Sequence, residues 1–202
     1  AVARAKGVKL HLDGARLWEA REAYAPRSFA EICALFDSVY VSFYKGIGAL
    51  AGAMLLGDAA LIAEARVWRR RHGGTLPQLH PFVASAAMRL DGALAKMPAF
   101  RSRALALAEP LSRLPGVRLL PAPPQVNMFH LHVSAPPAAL AAARDRIAEE
   151  DGVWIAPRFA PAQVTGTSFT EIYVGDGLLA VANEDVVPWF AKLTAAAQRA
   201  GA

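Results

Sequence analysis

Residues 38–57 read "SVYVSFYKGIGALAGAMLLG", and this stretch decides the fold. Its first seven residues, 38–44, are rich in β-branched and aromatic side chains, as strands are. Residues 51–57, "AGAMLLG", form a second, apolar strand candidate. Between the two, Lys45 stands among glycines and alanines with no carboxylate within several positions of it. Upstream, "VKLHLD" (8–13) alternates apolar Val8, Leu10 and Leu12 with polar Lys9, His11 and Asp13, the two-residue period of a strand. "SFAEICALF" (28–36) lies between these strands and opens with Ser28 and Glu31 at the spacing of a helix capping box. Downstream, Asp58 caps a predicted helix running to about Arg71, which Gly73 and Gly74 stop.

Strands alternating with helices of this length imply βαβ units, hence an α/β fold with a mainly parallel sheet. Such sheets place their chemistry beyond the carboxyl ends of the strands. Asp13 ends one predicted strand and Lys45 follows another, so the two are expected on one edge. The residues between them are numerous enough for the crossover that a parallel pair needs. A carboxylate and an amine there could be a plain salt bridge. The needs of pyridoxal phosphate account for the pair better: it takes a lysine for a Schiff base and an acid that keeps the pyridine nitrogen protonated. Ser42, three residues before Lys45, could donate to a phosphate oxygen, and the glycines of "KGIG" let the backbone pass close to a ligand.

The pattern then turns helical from Leu79 to about Leu114, with a break expected at Pro98. "LPGVRLLPAPPQ" (114–125) reads as turn and loop. A strand over 127–133, a helix over 137–150, strands near 153–156 and 169–174 and a helix from Asn183 follow. The expected domains are therefore 1–97, part of a large α/β domain, and 98–202, a smaller α+β domain.

Composition narrows the function classes. At 54% hydrophobic over 202 residues the chain can bury a substantial core, and no apolar run approaches the length of a membrane span. The net charge of +5 is dispersed except at "RVWRRRH" (66–72), which reads as the basic last turn of a helix. No interleaved aromatic stacking surface accompanies these arginines, so neither a nucleic acid nor a membrane is expected as a partner. Cys33 is the single cysteine. It excludes an intrachain disulfide and fits a cytoplasmic location. With no signal peptide and no initiating Met, the chain is expected to be part of something longer. His130 and His132 share a strand face without an evident third ligand, so no metal is predicted. His72 and His80 flank "GGTLPQ" as candidate substrate contacts. Trp68, Trp154 and Trp189 read as core or interface aromatics.

Together, "LHLDGARLWEA" (10–20), "VSFYKGIGALAGAMLLGD" (41–58) and "ARVWRRRHGGTLPQ" (65–78) resemble the threonine aldolases of the β-eliminating lyase group. These are pyridoxal-phosphate enzymes of fold type I, the aspartate aminotransferase-like fold. The resemblance implies that the chain is the C-terminal part of that fold, with half of the cofactor site before Ala1. It implies that Lys45 carries the cofactor, Asp13 pairs with its pyridine nitrogen, and Arg16 reaches the ring oxygen or the substrate carboxylate. Ser42 matches the phosphate position by spacing. Tyr44 stands where the family has a small hydroxyl residue, and Leu50 and Ala51 replace proline and valine. "SFTEIYVGD" (168–176) lacks the family's carboxylate-binding arginine, for which Arg158 is the substitute candidate. The implied activity is a lyase cleaving Cα–Cβ of β-hydroxy-α-amino acids such as L-threonine, in a homodimer or homotetramer. β-Elimination, transamination and a non-catalytic oligomerisation module are the alternatives.

Overall fold

Ser28 starts the first well-capped helix as its spacing predicts. Its hydroxyl accepts from the Glu31 backbone N–H, and the Glu31 carboxylate accepts from the Ser28 N–H at 2.7 Å. The computed structural model describes residues 2–201, which divide after Met97 into two compact units.

The first unit runs α1 (Val2–Ala5), β1 (His11–Gly14), α2 (Arg21–Tyr24), α3 (Phe29–Cys33), β2 (Ser38–Ser42), β3 (Ala53–Gly57) and α4 (Ala59–Arg71). Helix α5 (His80–Ser112) begins there and runs through the boundary. β1 and β2 are parallel neighbours, with Asp13 opposite Tyr40 and Gly14 opposite Val41. β3 pairs antiparallel with β2, so this three-stranded sheet holds one parallel and one antiparallel pair and is not mainly parallel. The cause is the short 43–52 connection, which has no room for a crossover helix. It folds back instead, with Phe43 N–H donating to the Gly52 carbonyl and Ala49 N–H to that of Phe43. Leu17, Ile32, Val39 and Val41 form the core beneath this sheet, with Trp18, Phe29 and Phe43 packed against them. Asp58 caps α4 by accepting from the Leu61 N–H at 2.8 Å, and Gly73 follows the helix at a φ of 72°.

Helix α5 does not break at Pro98. Pro98 and Pro110 both lie inside it, and the buried Met97 and Phe100 flank the first of them. Packing of those side chains keeps the helical course even though proline lacks one backbone donor. The second unit continues with β4 (Val117–Leu120), β5 (Met128–Val133), α6 (Pro137–Asp151), β6 (Ala160–Pro161), β7 (Ser168–Tyr173), α7 (Asp176–Leu179) and α8 (Asn183–Gly201). Its four strands are all antiparallel in the order β4–β5–β7–β6, and α6 packs on α8. Phe129, Leu131 and Val133 face the core from β5, alternating with His130 and His132 on the other face.

Two sequence readings change here. Residues 117–120 are a strand, not a loop: buried Val117 and Leu119 alternate with exposed Arg118 and Leu120. Residues 153–156 are not a strand. Arg144 of α6 donates to the carbonyls of Ala156 and Pro157, and its guanidinium lies 4.0 Å over the exposed Trp154 ring. Those carbonyls therefore face a side chain and not a ladder. Trp68 is likewise half-exposed, stacked on His72 at 5.8 Å and covered by Arg71. Among the described residues no helix is long and apolar enough to cross a membrane.

Asp37 clamps the entry to β1 and β2. Its carboxylate accepts from the Leu10 N–H at 2.8 Å and from Lys9 Nζ at 2.9 Å, and its own N–H donates to the Leu10 carbonyl. The Leu10 bond first, then Lys9, hold its carboxyl below the usual carboxylate range. A depressed carboxylate stabilises the fold above its unfolded pKa, and that contribution disappears as pH falls through the folded value. Asp37→Asn is expected to melt below wild type at pH 7, with the gap narrowing as acid protonates the Asp37 carboxylate. A gap of constant size across an acid titration followed by circular dichroism would contradict the clamp.

Candidate functional site

The carboxyl ends of β1 and β2 form a ledge whose parts come from residues 13–19 and 40–48. Gly14 is glycine for a steric reason: a Cβ there would lie 2.5 Å from the Tyr40 carbonyl oxygen. The close approach it permits brings the two strand ends together. Two hydrogen bonds then lock them. Ser42 Oγ donates to the Ala15 carbonyl at 2.7 Å, and Trp18 Nε1 donates to the Ser42 carbonyl at 2.7 Å. Trp18 also meets Phe29 edge-on at 5.2 Å and stacks on Phe43 at 6.1 Å.

Asp13 and Lys45 are both exposed on this ledge. One Asp13 carboxylate oxygen accepts from the Ala15 N–H at 3.1 Å, which orients the group and leaves the other oxygen to accept from a ligand. Lys45 makes no ion pair among the described residues; its Nζ lies 5.9 Å from the centre of the Tyr44 ring. The loop carrying it is closed by Gly48 N–H donating to the Lys45 carbonyl and is held by α5. There Arg89 Nε donates to the Ile47 carbonyl at 3.2 Å and Ser85 Oγ accepts from the Leu50 N–H. Gly48 sits at a φ of 69° with Arg89 against it, so a side chain there would be strained as well as crowded. A carboxylate and a free amine on one open ledge fit the ring nitrogen and the aldehyde carbon of pyridoxal phosphate.

Ser42 does not fit the phosphate role that its spacing suggests. It is fully buried, and its one hydroxyl proton points at the Ala15 carbonyl. A phosphate needs that proton, so the residue is a structural tie. Arg16 is partly buried and its Nη1 donates to Glu19 Oε1 at 3.1 Å. Glu19 was not legible as a site residue, although its signal is in the sequence: a charge three residues after an arginine, flanked by apolar Leu17 and Trp18. Its side chain is 0% exposed. The pair Tyr40–Tyr44 was equally hidden. Their hydroxyls lie 3.1 Å apart, and the bond to Tyr44, then burial, pushes the Tyr40 phenol up to about 12.

Arg158 lies in the second unit, exposed, beside a cavity of about 230 Å³ that His130, Thr170 and Glu171 also line. The neighbouring cleft, about 740 Å³, is lined by Arg118, His130, His132, Gln163 and Phe169 among others. The two histidine rings lie 6.3 Å apart against Phe169, and burial, then His130, lowers the His132 pKa. No group of three or more His, Cys, Asp or Glu among the described residues could hold a metal ion. His11 Nδ1 bonds Ser38 Oγ at 2.8 Å at the far end of β1 from Asp13. Burial raises the Cys33 thiol, as in an inert packing cysteine.

A family model described as β-eliminating lyase matches residues 1–135. The low-specificity L-threonine aldolase 1 of Arabidopsis thaliana is 32% identical over 152 residues, 75% of this chain and 42% of the relative. The alanine racemase TOXG of Cochliobolus carbonum is 44% identical over 84 residues, 42% of this chain and 21% of the relative. A crystal structure assigned as an L-allo-threonine aldolase of Listeria monocytogenes superposes with a TM-score of 0.87 at 38% identity. It covers 95% of this chain and 54% of its own. The chain thus spans about half or less of the relatives it matches.

Because Ser42 ties the strand ends, Ser42→Ala is expected to lower unfolding stability by about 1–2 kcal/mol, the cost of leaving a carbonyl without its donor. Urea unfolding of the cofactor-free protein measures it. Unchanged stability combined with weaker uptake of pyridoxal phosphate would restore Ser42 to the phosphate.

Proposed function

The chain belongs to the β-eliminating lyase family, a family of pyridoxal-phosphate enzymes, and from that membership we propose that the complete protein is a lyase cleaving the Cα–Cβ bond of β-hydroxy-α-amino acids. The observation that carries the reading is the placement of exposed Asp13 and Lys45 at the carboxyl ends of the parallel neighbours β1 and β2. Residues 1–97 are read as part of the cofactor-binding large domain and 98–202 as the small domain. A homodimer or homotetramer is the assembly this reading carries.

Pyridoxal phosphate, when bound, supplies a sink for the electron pair released at the substrate's Cα. Asp13 would hold the proton on the ring nitrogen, which would keep that sink strong. Lys45 would supply the amine that holds the cofactor, and as an exposed amine it could also carry a proton at the same place. Arg16, fixed by Glu19, presents a guanidinium to an anionic oxygen of cofactor or substrate. Arg158 is the candidate for the substrate carboxylate. Tyr44, 47% exposed, offers an aromatic wall beside Lys45, which suits a bulky β-substituent such as that of phenylserine. Its phenol, bonded to Tyr40, can hold or pass a proton at the same place.

β-Elimination uses the same residues and differs in the bond broken. The hydroxyl must lose a proton for cleavage of Cα–Cβ and must leave for elimination, so one pocket does not favour both. Threonine is expected to give glycine and acetaldehyde. A 2-oxo acid with ammonia as the main product would sink the aldolase reading and leave the cofactor reading standing. Lys45→Ala is expected to abolish both turnover and the visible absorbance band that appears on adding pyridoxal phosphate. A wild-type band in that variant, surviving borohydride and dialysis, would show that another amine holds the cofactor.

A further inference from the structure

Glu19 is a buried carboxylate with one oxygen on Arg16 and the other, Oε2, without a hydrogen-bond partner. Such a group is costly to bury, so its position calls for a reason. The reason lies on its other side. A Cβ built on Gly46 would lie 2.3 Å from Glu19 Cδ and 2.5 and 2.6 Å from its two oxygens. The carboxylate is therefore packed flat on the backbone of the residue directly after Lys45. One side chain touches both the arginine and the lysine segment of the ledge. Both of these contacts, with Arg16 and with Gly46, lie within residues 1–97.

We propose that Glu19 is a positioning residue, a strut that aims the Arg16 guanidinium and sets the height of the Lys45–Gly46 backbone against it. The assignment rests on the pyridoxal-phosphate reading above for what Arg16 and Lys45 do. The strut itself rests on geometry alone. Gly46 is part of the same device: its φ is unremarkable, so glycine is required there by the carboxylate beside it and not by backbone strain. The charge of Arg16 offsets that of Glu19, and the flat carboxylate fills the space a side chain at position 46 would occupy.

The test uses the full-length protein, first without cofactor. Arg16→Ala strands the buried carboxylate and is expected to lower the melting temperature by roughly 5 °C or more. Adding Glu19→Gln in that background is expected to restore most of the loss, because a neutral amide needs no cation. Additive losses in this cycle would overturn the strut. With cofactor, Glu19→Gln keeps the shape, and it is expected to keep the absorbance band on Lys45 while raising KM for the amino acid about tenfold, with kcat changed less. Glu19→Ala removes shape and charge together and is expected to weaken the band as well. A Glu19→Gln protein with wild-type KM would overturn the positioning role; if Glu19→Ala does not fold, the glutamine variant and the melting cycle decide. A wild-type protein that takes up no pyridoxal phosphate sinks the cofactor reading, and that failure is told apart because the melting cycle needs no cofactor.

Discussion

The ledge depends on one cross-link, the pair of hydrogen bonds that meet at Ser42. The hydroxyl reaches back to the Ala15 carbonyl while the Ser42 carbonyl receives the Trp18 indole N–H. Both bonds join the turn after β1 to the last residue of β2. A parallel pair has no hairpin to fix how far its two ends extend, so this tie sets their relative reach. Asp13 lies two residues before Ala15, and Lys45 three residues after Ser42. The tie, together with the register of the two strands, sets the distance over which they face one another. Trp18 serves the core as well, through Phe29 and Phe43, which couples the geometry of the ledge to packing beneath it.

Glycine and burial do the remaining placement. Gly14 lets the β1 end approach the Tyr40 carbonyl, and Gly46 lets the backbone after Lys45 lie on Glu19. At neither position is a positive φ involved; each is small because another group occupies the space. Arg89 and Ser85 of α5 secure the outer part of the loop. The lysine is thus an exposed side chain on a backbone held from three directions.

Local patterns carried the legible part of the fold. The Ser28–Glu31 box, the Asp58 cap and the alternation in β5 are each decided by residues close in sequence, and each forms as its pattern predicts. What could not be read is decided at a distance. The run 153–156 looks like a strand until Arg144 of α6 captures the carbonyls of Ala156 and Pro157 at its end. Pro98 looks like a stop until buried neighbours hold the helix. β4 hides between Gly116 and Pro121 because only its pairing with β5 gives the short alternation meaning. In the site, the sequence put Asp13 and Lys45 on one edge but could not tell a hydroxyl facing a ligand from one facing a carbonyl. Glu19 escaped for the same reason: an arginine and a glutamate three apart usually mark a solvated helix face, and only burial reveals the pair as internal.

These constraints divide the ledge into positions that cannot change alone and positions that can. Gly14, Ser42, Gly46 and Glu19 are each in contact with another fixed group, so a substitution at one displaces backbone or strands a charge. Tyr40 and Tyr44 differ in kind. Tyr44 is half exposed and Tyr40 partly so, and they meet each other at their hydroxyls. Exchanging either for a smaller residue alters the space beside Lys45 without disturbing the cross-link below. Tyr44 is also where this chain departs from the small hydroxyl residue usual in the family it resembles. The outer face of the ledge can therefore vary while the geometry of amine and carboxylate stays put, because different atoms hold the two.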